Sequence, residues 1–286
     1  MRRRTAALSF QGDHSGMALP PRSLERIARV GLVARAVVYV AIGLFATAAA
    51  LRLGGAITDT SGVFHFLLHQ PLGRVLLAAL SLGLGAYTVW LLVQVFLDPY
   101  GNGTSFIGLV NRFGQLVSAL AQVALSIEGA RLALGLPSVL SGPAAVDDAN
   151  ERLVAEGLRV PFGVQLVGLV GLILLIVAVI QMYRGLLGDV RRDWRLDTLG
   201  ENGHWAVRIG RFGLAARAVV LGVSGALVVQ AAGAYDPSRA GGTREVLRAL
   251  GRQYASGWLL GLVALGLVAF GVFGLVEARH RTIPTN

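Results

Sequence analysis

The chain has 286 residues, a mean hydropathy of +0.63 and only 15% charged residues, which is too apolar for an ordinary soluble domain and points to an integral membrane protein. Its net charge of +10 rests on 26 cationic side chains, all arginine, that cluster at the ends of apolar runs without interleaved aromatics, a pattern that argues against nucleic-acid binding. The absence of cysteine excludes disulfides, thiolate metal sites and a cysteine nucleophile.

Residues 1–29 carry Arg2, Arg3, Arg4, Arg22, Arg26 and Arg29 but no apolar core, so no cleavable signal peptide is expected and the first span serves as an uncleaved anchor. Residues 1–23 read as a disordered extension, with Met1 and Met17 both candidate starts. Six apolar segments then follow: Val30–Leu51, Leu72–Leu97, Phe106–Leu134, Phe162–Met182, Phe212–Ala232 and Gly257–Val276. Each is long enough to cross a bilayer, since about 20 residues at 1.5 Å each cover roughly 30 Å.

The segments are organised by a repeat. ARVGLVARAVV from Ala28, VNRFGQLVSAL from Val110 and IGRFGLAARAVV from Ile209 align Arg29, Arg112 and Arg211, then Gly31, Gly114 and Gly213, then Arg35, Ser118 and Arg217. Ahead of the second and sixth spans, SGVFHFLLHQ and REVLRALGRQ occupy matching positions, and NERLVAEGLRVP takes that place in the middle. All three read as short amphipathic helices at the far interface. The units are therefore 24–98, 99–186 and 208–283, with a loop at 187–207. Two spans per unit make the units parallel, so the expected fold is all-α, three tandem helical hairpins in a pseudo-threefold arrangement about the membrane normal, and inverted repeats are excluded. Arginines are more numerous on the side of the termini and the 98–112 and 184–211 loops, which places both termini in the cytoplasm.

Steps of four along the first span of each unit give Gly31, Arg35, Tyr39 and Gly43, then Gly114, Ser118, Gln122 and Ser126, then Gly213, Arg217, Leu221 and Gly225, one face per helix. Such stripes serve either as small-residue packing seams or as the lining of an axial cavity. Arg35 and Arg217 lie about 9 Å beyond the first arginine of their repeat, at 1.5 Å per residue, and must snorkel or find a partner. The antiparallel hairpin nominates Glu277 for Arg217 and Gln94 for Arg35, while Glu128 is expected to meet Arg131. His65 and His69 have the HxxxH spacing of a weak metal candidate, but Arg248 and Arg252 hold the equivalent positions, so the repeat asks only for a polar face. No cofactor is expected: bis-histidine haem, a phosphate loop and a Ser/His/Asp grouping all lack their residues, and a proton relay would need more acids than Glu128.

GRFGLAARAVV at Gly210–Val220, Asp236-Pro237, GWLLGLVALGLVAFG at Gly257–Gly271, VEARHR at Val276–Arg281, VPFGVQLVGLVGL at Val160–Leu172 and QMYRGL at Gln181–Leu186 together resemble the bacterial membrane family called domain of unknown function 1206. The resemblance runs over residues 24–283 and implies a bacterial inner-membrane protein of three two-helix units without assigned catalytic residues. With no catalytic constellation, the expected role is non-catalytic binding of lipid or a partner protein, the alternative being a small-solute or anion permease along the repeat axis. The expected partners are the bilayer and a protein or small solute, not nucleic acid.

Overall fold

A computed structural model describes residues 21–53, 57–99, 106–137, 154–188, 203–240, 242–252 and 258–281. Most of the N-terminal extension and of the 187–207 loop lie outside these residues. The described chain is all-α: α1 (Pro21–Ala50), α2 (Thr60–Leu68), α3 (Gly73–Phe96), α4 (Phe106–Ala133), α5 (Gly163–Leu186), α6 (His204–Ala234), α7 (Thr243–Arg252) and α8 (Trp258–His280), with a further helical turn at 154–159. Among the described residues, six of these helices (α1, α3, α4, α5, α6 and α8) are long and apolar enough to cross a membrane. Several overrun the apolar segments at the end bearing the termini. α1 begins nine residues before Val30 and α6 eight before Phe212, so arginine-bearing turns extend both helices beyond their apolar runs.

Local chemistry sets the breaks. The Asp59 carboxylate accepts from the Gly62 amide (3.2 Å) to cap α2, and Glu245 accepts from the Gly242 amide (2.7 Å) to cap α7. α3 and α5 are entered through the same device: Leu72 (φ 59°) and Phe162 (φ 63°) are left-handed, each follows a proline, and each is followed by a glycine. A Cβ on Gly73 would strike the Leu67 carbonyl, and one on Gly163 the Gly157 carbonyl. α6 stops at left-handed Tyr235. Beyond it the Asp236 carboxyl, which accepts from the Ser238 amide, the Ser238 hydroxyl and Arg239, is held below the usual carboxylate range, first by Ser238 and then by Arg239.

The six spans pack as a closed ring in the order α1, α3, α4, α5, α6, α8 and back to α1. The widest contacts join different units, α5 to α6, α8 to α1 and α3 to α4, rather than the two helices of one hairpin. The first arginine of each repeat makes the same step round this ring. Arg29 donates to the Ala278 and Arg279 carbonyls (the latter at 2.8 Å) at the end of α8. Arg211 donates to Leu186 O (2.9 Å) at the end of α5, and Arg112 pairs with Asp98 (2.6 Å) just past α3. A cation at a helix C-terminus meets orphan carbonyls and the negative end of the helix dipole, which accounts for an arginine at this repeat position. At the far end Arg244 of α7 pairs with Asp59 (2.9 Å), so units 1 and 3 are clasped at both faces.

An apolar core fills the half of the bundle away from the termini. Ile42, Ala46, Phe64, Leu77, Leu84, Leu132, Leu247, Leu260, Ala264 and Leu267 are buried together there.

Candidate functional site

The half of the bundle nearest the termini is only partly filled, by Leu32, Trp90 and Ala278 on one side and Ala206, Leu214 and Phe273 on another. A cavity of about 380 Å³ opens there, lined by side chains from all six spans. α1 gives Arg35, α3 gives Tyr87, Trp90 and Gln94, and α4 gives Asn111, Gly114, Gln115 and Ser118. α5 gives Gln181 and Arg184 beside Leu174, Val177 and Ile180. α6 gives Arg217, and α8 and the residue just past it give Glu277 and Arg281. Among the described residues, four guanidinium groups thus face one carboxylate.

Glu277 is wholly buried and binds on two sides. One oxygen takes Arg35 at 3.1 Å, and the other takes Arg281 one turn later. Arg35, 8% exposed, also donates to the Tyr87 hydroxyl at 2.6 Å, and its Nε is buried without a hydrogen-bond partner among the described residues. Arg217 donates to the Gln181 side-chain amide oxygen Oε1 and to the Tyr39 hydroxyl (3.2 Å). Between the two arginines stands the Phe270 ring, with Arg35 5.2 Å and Arg217 5.3 Å from its centroid, and Arg35 lies 5.0 Å from that of Tyr87. Tyr39 meets Phe270 edge-on at 4.9 Å.

The two expected partnerships within hairpins do not form. Glu277 goes to Arg35 of unit 1 instead of Arg217, and Gln94 accepts from Gln115 of α4 (3.1 Å) instead of meeting Arg35. The physical reason is the ring: the second helix of each hairpin presses harder on the next unit than on its own first helix, so its polar residues point across the boundary. Arg217 therefore keeps a neutral amide and a phenol as partners, and no carboxylate pairs with it among the described residues. Arg184 has no hydrogen bond or ion pair there either.

The four-residue stripes divide by task. Arg35, Gly114, Ser118 and Arg217 line the cavity. Gly31 and Gly213 admit the partner helix of their own unit: a Cβ would fall 2.5 Å from Tyr87 Cα and 2.5 Å from Phe270 Cα respectively. Gly43 and Gly225 face the neighbouring unit, where a Cβ would fall 2.7 Å from Val268 N and 3.0 Å from Gly171 O. Ser126 donates to Ser81 O (2.9 Å), and neither it nor Gln122 reaches the cavity. Glu128 is buried, and Arg131 donates to Pro137 O (3.2 Å). The His69 ring is 2.7 Å from the His65 carbonyl, and among the described residues no group of three or more metal-ligating side chains assembles.

Asn111, Gln115, Gln181 and Arg184 complete the site and were not singled out from sequence. The signal was present, since Gln181 and Arg184 stand three apart on one face of an otherwise apolar helix end.

Two regions, residues 30–98 and 212–281, match the model of the Domain of Unknown Function (DUF1206). These are the first and third hairpins. Over 259 residues, 90% of this chain and 91% of the relative, the sequence is 26% identical to the uncharacterized protein YxxB of Bacillus subtilis (strain 168). No solved structure matches.

Proposed function

We propose that this multi-pass membrane protein, which carries the DUF1206 domain in its first and third hairpins, is a non-catalytic binder of an anionic group, phosphate or carboxylate, held in the arginine-lined cavity. One observation carries the reading: among the described residues, four guanidinium groups stand against a single carboxylate at the terminal half of the bundle. A guanidinium offers planar, paired donors that match a carboxylate or phosphate, and it is always charged. Arg35 and Arg281 are already engaged by Glu277, which positions them; Arg217 and Arg184 keep donors for a ligand. Removing such charges from water is costly unless an anion compensates them, so an anionic ligand offsets that cost.

The excess of arginines beside this face supports placing it, and both termini, on the cytoplasmic side of the bacterial inner membrane. The apolar core closing the other half of the bundle favours binding over passage. A permease reading keeps one specific support, that the cavity approaches only one face and includes both Arg35 and Arg217, as an inward-facing carrier would.

Liposomes holding the purified protein separate the two. The binding reading expects phosphate, acetate and glycerol phosphate to raise the melting temperature of the native protein, with the rise absent in Arg217→Gln, and no uptake of the labelled anions above empty vesicles. Uptake that disappears in Arg35→Leu/Arg217→Leu would establish a permease, and no stabilisation by any of these anions or by an anionic lipid would end the anion reading.

A further inference from the structure

We infer that the anion is the phosphate of an anionic phospholipid, admitted sideways from the bilayer through a seam between α4 and α5; this rests on the anion-binding reading above. The seam is where the repeat departs from itself. In units 1 and 3 the glycine at the shared position lets the two helices of the hairpin meet backbone to backbone, with a Cβ on Gly31 or Gly213 falling 2.5 Å from a backbone Cα of the partner helix. At the same position in unit 2, a Cβ on Gly114 would find, among the described residues, only the Val177 side chain, at 3.1 Å. α4 and α5 accordingly touch over much less of their length than α1 and α3 or α6 and α8, and they are the least buried of the six spans.

Behind that gap lies the cavity, and its two walls differ in kind. Leu174, Val177 and Ile180 of α5 are apolar, while Gln181, Arg184 and Arg217 at the terminal end are polar or cationic. A ligand that is apolar along its length and anionic at its tip satisfies both walls with one molecule, whereas a free inorganic anion would leave the apolar wall wet. The volume of about 380 Å³ is within the range of roughly 300–1,000 Å³ of small-ligand sites and suits a headgroup whose acyl chains remain in the bilayer.

The native chain holds no cysteine, so a pair placed across the seam is chemically unique. Gly114→Cys/Val177→Cys puts two thiols where a Cβ on Gly114 would already approach the Val177 methyl, within reach of a disulfide. The full-length protein in a zwitterionic detergent is then tested with labelled phosphatidylglycerol, phosphatidylcholine and glycerol phosphate. The reduced pair should bind phosphatidylglycerol saturably, in preference to phosphatidylcholine. Oxidation should weaken that binding at least about tenfold and reduction should restore it, making each sample its own folding control. Arg184→Gln and Arg217→Gln should each weaken it by about tenfold, the scale of one charge-assisted contact. Val177→Trp, which fills the seam without a bond, should do the same if the cysteine pair does not fold. Glycerol phosphate bound as tightly as the lipid, oxidised or reduced, would overturn lateral entry and leave a water-borne anion. Failure of the native protein to bind either anion would overturn this inference and the anion reading together, whereas binding by the native protein, with equal affinity in the oxidised and the reduced pair, would overturn lateral entry alone.

Discussion

Glu277 sits where a lone carboxylate would be intolerable, with no exposure and two arginines on its two oxygens. Buried pairs of this kind contribute little net stability, yet breaking one is expensive because the survivor stays buried and charged. Arg35→Leu should therefore destabilise the protein by about 3 kcal/mol in a denaturant titration in detergent. A double-mutant cycle of Arg35→Leu with Glu277→Gln should show a coupling of about 1–3 kcal/mol, while Arg217→Leu with Glu277→Gln should add within about 0.5 kcal/mol, since those two side chains share no hydrogen-bond partner. Coupling at Arg217 and additivity at Arg35 would reverse the assignment. The cation of Arg217 is tuned differently, by an amide oxygen and a phenol that accept hydrogen bonds without cancelling its charge. The geometry thus keeps one arginine positioned and structural and the other available.

At the scale of the helix, three copies of one motif have been put to two uses. The glycines at Gly31 and Gly213 let α1 reach α3 and α6 reach α8 at backbone distance, a contact where added volume has nowhere to go because the obstructing atoms are main chain. Gly31→Ala and Gly213→Ala should each cost on the order of 1–3 kcal/mol despite the better helix propensity of alanine. Gly114→Ala should be neutral or stabilising by up to about 1 kcal/mol, because only a valine methyl opposes it and the propensity gain remains. Unfolding midpoints of the three variants in one detergent decide this, and a Gly114→Ala loss as large as the other two would mean that α4 and α5 are packed as tightly as the outer hairpins. The repeated arginine works in the same economical way. Arg29, Arg112 and Arg211 each fasten the start of one unit to the close of the preceding one, which turns a linear array of hairpins into a ring.

At the scale of the whole molecule, the six spans were legible because apolar runs of bilayer length leave little alternative, and the units were legible because Arg29, Arg112 and Arg211 recur with their glycines. What sequence could not supply was which neighbour each helix face meets. Periodicity places Glu277 and Arg217 at the same depth of one hairpin, but α8 lies along α1 over a longer stretch than along α6, so the carboxylate crosses the unit boundary. The cavity was hidden for the same reason: its polar residues are spread singly over six helices, and none forms a local motif. The ring also fixes the parity of the chain. Arg29 near the start reaches the Ala278 and Arg279 carbonyls near the end, so the start of α1 and the end of α8 share one face, and the Asp59–Arg244 pair marks the other. With the arginine excess on the first face, reporter fusions after Asn102, Gly200 and Asn286 should read cytoplasmic, and fusions after Gly142 and Ala240 should read external. An enzyme reporter active on opposite sides for Asn102 and Asn286 would be incompatible with a closed six-helix ring, whereas a uniform reversal of all five would keep the ring and move the cavity to the other leaflet.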